Sequence, residues 1–109
     1  MIKAAQIAEI LSLYQKHGWI LRRVLLSDEL RKTLTDAPAT LFGAAEIRES
    51  AINAAWFSRP PNDAQETWEL RRLSATPFAL LEIFDAEDED EIREETLNEI
   101  ETQMKNAQN

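Results

Sequence analysis

Among its 109 residues the chain has one histidine, two glycines and no cysteine, so its chemistry must come from carboxylates, guanidinium groups and indoles. His17 could act as a general base only beside an orienting acid and a nucleophile, and no serine or cysteine motif accompanies it. Its position at the end of the first predicted helix suits a residue whose charged form the helix dipole favours. One imidazole and no thiolate would leave a zinc shell to carboxylates, so no metal is expected. Gly18 and Gly43 stand too far apart for a glycine-rich phosphate loop, which removes the common nucleotide classes. No cofactor and no catalytic residue are assigned, and the reading leans away from an enzyme.

The acidic run at residues 85–91 invites comparison with a calcium loop. Such a loop needs glycine at its sixth position and a helix on either side. The sixth residue from Asp85 is Asp90, and no second helix flanks the run. It reads instead as the dipole-favoured start of an acidic helix. Two arginine pairs, Arg22 with Arg23 and Arg71 with Arg72, lie on predicted strands. Neighbours on a strand point to opposite faces, so each pair should send one guanidinium to each side of a sheet. Two arginines sharing an open face could grip a phosphate or carboxylate. The plainer alternative is pairing with Glu46, Glu49, Glu69 or Glu82. Trp19, Trp56 and Trp68 also fall on predicted strands, where core packing competes with an apolar contact surface.

These residues need a scaffold, and hydrophobic spacing supplies one. Ile7, Ile10, Leu11 and Tyr14 make one stripe of a helix over residues 2–17, stopped by Gly18. Residues 19–26 read as a strand. Ser27 is suited to cap a short helix over 28–34, which residues 35–38 should end. The stretch 39–50 is compatible with helix or strand, and alternation favours one strand over about 46–58. Residues 59–63, with Pro60 and Pro61, read as a turn. Strands near 66–74 and 78–84 follow, and together they predict an antiparallel meander. The last helix, 87–106, should pack through Ile92, Leu97, Ile100 and Met104 while its acids face solvent, with the final residues frayed. The expectation is one α+β domain spanning 1–109: four mainly antiparallel strands in the order α-β-α-β-β-β-α, with both longer helices on one face.

Charge narrows the partners. The net charge is −8, and residues 85–101 alone hold ten acids against one base, Arg93. The rest is close to neutral. Such a layout repels nucleic-acid backbones and anionic lipid, so neither nucleic acid nor membrane is expected. Residues 1–16 lack the continuous apolar stretch of a signal peptide, and a cytoplasmic protein is expected. The preferred function is a non-enzymatic protein-interaction module: a small acidic adaptor, inhibitor or chaperone-like protein. Its partner would be another protein of basic character, and a homodimer through the sheet is expected. Trp56, Trp68, Glu94 and Glu95 are the candidate interaction surface. The alternative is a small anionic-ligand binder or enzyme using Arg22, Arg23, Arg71 and Arg72.

Overall fold

A computed structural model describes residues 2–34, 37–62 and 65–107. The apolar stripe of the first segment forms α1 (Ala4–Lys16), with Ile7 fully buried. At its start the Lys3 N–H donates to Gln6 Oε1 at 2.9 Å. Its end is a Schellman closure: Gly18 takes φ +87°, its N–H reaches the Gln15 carbonyl, and the Trp19 N–H reaches that of Tyr14 at 3.0 Å. Next come β1 (Ile20–Leu26) and α2 (Asp28–Leu34). Ser27 caps α2 as expected, its Oγ accepting from the Leu30 N–H at 3.2 Å. The uncertain stretch divides between α3 (Ala37–Phe42) and β2 (Glu46–Glu49). Ala37 and Pro38, expected to end the second helix, instead belong to α3, and Thr35 and Asp36 lie outside the described residues.

The single strand expected over 46–58 is two strands. Residues 50–53 leave the extended path because their polar groups close a corner. The Ser50 N–H donates to the Leu26 carbonyl, Asn53 Oδ1 accepts from the Ser27 N–H at 2.7 Å, and the Asn53 carbonyl accepts from the Leu73 N–H at 2.8 Å. This corner sends the Ile52 side chain into the core. After it run β3 (Ala54–Asn62), β4 (Gln65–Arg72), β5 (Ala79–Asp85) and α4 (Asp90–Ala107). The turn expected at 59–63 is also corrected: β3 continues to Asn62, with irregular register between Arg59 and Asn62, and Asp63 lies outside the described residues.

The α+β class therefore stands, but the arrangement differs from expectation. Among the described residues there is one mixed five-stranded sheet, ordered β2-β1-β3-β4-β5. The β1–β2 pair is parallel and the others antiparallel. A parallel pair needs a crossover, and α2 with α3 provides it. The longer helices do not share a face. Val24, Leu26, Ala55 and Phe57 pack with Ile7, Leu30, Leu34 and Phe42 beneath α1–α3. On the opposite face Leu25, Ala54, Trp56, Leu70 and Phe84 pack with Leu97, Ile100 and Met104 of α4. Central strands carrying apolar residues on both faces require cover on both sides, which the short helices would not have supplied alone. Among the described residues no helix is long and apolar enough to cross a membrane.

A β-bulge in β1 fixes the position of the arginines. Leu21 pairs with Phe57 and Arg23 with Trp56, so Arg22 is an extra residue. Arg22 Nε donates to Ser58 Oγ at 2.7 Å, and Ser58 pairs with Trp68 on the α4 side. Arg22 and Arg23 thus share the α4 face, whereas simple alternation would have split them. Because α4 is anchored by three buried side chains, Ile100→Ala should cost about 2–5 kcal/mol. Urea unfolding checks this; a loss below about 0.5 kcal/mol, the size of a neutral surface change, would contradict that anchoring.

Candidate interaction surface

The charge carried by α4 is turned partly inward. Arg23 is only 7% exposed. Its Nη2 donates to Glu94 Oε1 at 2.5 Å and its Nε to Glu46 Oε2 at 3.2 Å, and Nη1 lies 3.5 Å from Glu101 Oε2. Glu94 and Glu101 are seven residues apart, two helical turns, so they flank Leu97 and Ile100 on the inward side of α4. Glu101 Oε2 also accepts from Trp56 Nε1 at 2.8 Å. Arg48 Nε bonds Glu46 Oε1 at 3.1 Å, and Arg48 with Arg23 holds the Glu46 carboxyl below its ordinary pKa. Farther along, Arg93 Nη1 bonds Glu66 Oε1 at 3.0 Å, Nη2 bonds the Asp85 carbonyl at 2.9 Å, and the guanidinium lies over Phe84. Arg93 takes an inward position, and Ile92, expected as an anchor, is exposed.

Trp56 is wholly buried, so it lines the core and cannot belong to a surface. Trp68 is half-buried, edge-on to Trp56 and Phe84, and its Nε1 donates to Glu66. Glu94 is engaged by Arg23, and only Glu95 of that pair lies fully on the outer face. The arginines do not converge. Arg71 points to the α1 side and donates to the Arg72 carbonyl. Arg72 lies on the opposite face, stacked on Phe78 with Nε donating to Ser74 Oγ at 3.3 Å. Among the described residues no group of three or more acids or histidines is placed to hold a metal ion.

His17 borders a cleft of about 380 Å³ whose other walls are Leu13, Tyr14, Trp19, Arg59 and Glu69. Arg59 lies over the Trp19 ring and donates to the His17 carbonyl at 3.2 Å. The Tyr14 hydroxyl donates to Glu69, and its ring stacks on Phe57 with centroids 4.1 Å apart. Burial first, and then the Glu69 carboxylate, push the Tyr14 pKa upward. A tyrosine held this way is a donor fixed in place, tying α1 to β4.

What remains uncovered is the outer part of the α1 face. Helices α1–α3 lie over β1 and β3, and α4 lies on the other side, so Leu81 and Ile83 of β5 are 56% and 52% exposed. Leu13 of α1 is 55% exposed and lines the cleft over Glu69, the β4 residue that pairs with Leu81. The backbone there is open too. The Arg72 N–H donates to the Phe78 carbonyl at 2.9 Å, and this sets the phase of the β4–β5 ladder. Phe78, Leu80, Glu82 and Phe84 bond inward, while Ala79, Leu81, Ile83 and Asp85 turn N–H and C=O to the edge. Asp85 is closed off, since Asp88 Oδ2 accepts from its N–H and Arg93 takes its carbonyl. Ala79, Leu81 and Ile83 have no strand beside them among the described residues. Alternation in 79–85 carried the signal for this stripe, but only the sheet order shows that nothing covers it.

Comparison with protein-family models, with curated proteins and with solved structures gives no match.

The Tyr14 contact generates a clean test, because it is the chain's one tyrosine. Its folded pKa is raised, so its contribution to stability is present below the ordinary value of 10.0 and is lost as pH climbs through the folded value. Tyrosinate absorbance should therefore stay silent through pH 10.0 and emerge together with unfolding. In Glu69→Gln it should emerge at lower pH. Ionisation of the folded wild type at the ordinary value would contradict the contact.

Proposed function

We propose that the chain is a non-enzymatic protein-interaction module, a small acidic adaptor, inhibitor or chaperone-like protein of the cytoplasm, and that its partners engage the open edge of β5. The observation that carries this reading is the coincidence of two unsatisfied features on one strand. Ala79, Leu81 and Ile83 present outward backbone groups, and the same residues expose an apolar stripe. Proteins ordinarily blunt such an edge with charge, proline or cover. The opposite edge of this sheet is blunted in that way, for β2 is four residues long and carries Glu46, Arg48 and Glu49. An added strand would gain main-chain hydrogen bonds from the edge and side-chain contacts from the stripe.

The acidic outer face of α4, including Glu95, supplies a field rather than a contact in this reading. It discourages nucleic acid and anionic membrane and favours approach by basic proteins. The ligand-binding alternative needs the arginines gathered around one cavity, and Arg22 with Arg23, Arg71 and Arg72 occupy three separate places. A photo-crosslinking residue placed at Ile83 and, separately, at Glu95 tests the location in native lysate. Discrete protein adducts are expected from position 83 and not from position 95. Adducts from 95 alone would move the surface to α4, and none from either would contradict an interaction module.

A further inference from the structure

We infer that the occupant of the β5 edge is a second copy of this chain, paired antiparallel through β5 about a two-fold axis at Leu81. This rests on the reading of β5 as the interaction surface and names its partner. A two-fold axis perpendicular to the sheet keeps the faces in register, so odd residues must meet odd residues and even residues even. Few registers are then possible. An axis at Glu82 would set Glu82 directly against its copy, like charge on like charge. An axis at Ile83 would pair Leu81 with Asp85, whose outward groups Asp88 and Arg93 already occupy.

An axis at Leu81 meets neither obstacle. Leu81 faces its own copy, Ala79 faces Ile83, and each of these pairs can exchange both N–H···O bonds through groups that point outward. On the α1 face the Ala79, Leu81 and Ile83 stripes merge, with an exposed Leu13 at either side. On the α4 face Leu80 stands opposite Glu82, so no two acids are juxtaposed. The strand is also polar in charge along its length. Its end leads into Asp85, Glu87 and Asp88, whereas its start lies beside Arg71 and Arg72 of β4. Antiparallel pairing brings the acidic end of each copy to the arginine-bearing corner of the other. Helix α4, with six acids against two bases, packs on the opposite face from the merged stripe.

The absence of cysteine makes the register directly readable. Single Leu81→Cys, Glu82→Cys and Ile83→Cys variants are mildly oxidised, and sedimentation equilibrium is run on the wild type and on Leu81→Lys. The wild type is expected at twice 12.5 kDa at high micromolar concentration. Leu81→Lys is expected at 12.5 kDa and folded, since the position is exposed in the single chain, with a melting temperature that no longer rises with protein concentration as the wild type's does. Leu81→Cys should form linked dimers about tenfold faster than the other two, whose Cα atoms would lie beyond the roughly 7 Å that a disulfide spans. A monomeric wild type, a dimer that survives Leu81→Lys, or Glu82→Cys linking as fast as Leu81→Cys would overturn the proposal. Crosslinks from position 83 to a different protein only, with a monomeric wild type, would overturn the second copy and leave the β5 surface standing.

Discussion

Arg23 is a guanidinium on a central strand, and almost none of it reaches water. A charge so placed is tolerable only with anions around it, because desolvation would otherwise outweigh any packing gain. One anion comes from the neighbouring strand, Glu46, and two come from α4, Glu94 and Glu101. The bulge at Arg22 sits beside Arg23, and the corner at residues 50–53 lets Glu46 lie on a separate parallel strand beside it. The helix must then cross the sheet with its seven-residue acid spacing over Arg23 and its Leu97, Ile100 and Met104 stripe over Trp56 and Phe84. Position and facing of α4 follow from that one residue.

This changes the meaning of the acidic segment. Read as composition, ten acids suggest a solvated electrostatic surface. In the fold the segment is divided by helical phase. Glu94 and Glu101 face the sheet and Glu95 and Glu99 face water, while Arg93, the single base, ties the start of the helix to β4 and β5. Exposed ion pairs contribute little, but pairs to a buried guanidinium are worth more, because losing one leaves charge stranded. With α4 committed to one face, and α1–α3 lying over β1 and β3 on the other, the outer half of the α1 face stays bare. The β5 surface is therefore a consequence of where the helices were needed.

Much of the local structure was legible from residues 2–34. The stripe of α1, the stop at Gly18 and the Ser27 cap each have a short-range cause, and each appears where its cause stands. The strands over 65–85 followed from alternation in the same way. The misreadings share another origin. A bulge breaks alternation without marking the sequence, so alternation alone puts Arg22 and Arg23 on opposite faces. Asn53 and Ser50 look like tolerable strand residues until their long-range partners, Ser27, Leu73 and Leu26, are known. Ile92 suits an anchor by its apolar side chain, yet a charged neighbour with an aromatic ring and two acceptors beneath it holds the inward position. As for the site, arginines, tryptophans and acids stand out by type, whereas the exposure of the β5 stripe has no mark in the sequence, since it depends on which strand ends the sheet.

The dependence of α4 on Arg23 is measured most directly by a double-mutant cycle in urea unfolding, combining Arg23→Met with Glu94→Gln and, as control, with Glu95→Gln. Met keeps most of the apolar stem, so the cycle isolates the charge. The account predicts a coupling of about 1–3 kcal/mol between Arg23 and Glu94, and additivity within about 0.5 kcal/mol between Arg23 and Glu95. Equal and negligible coupling for both acids would contradict it, because the acidic face of α4 would then be the uniform solvated surface that its composition suggests.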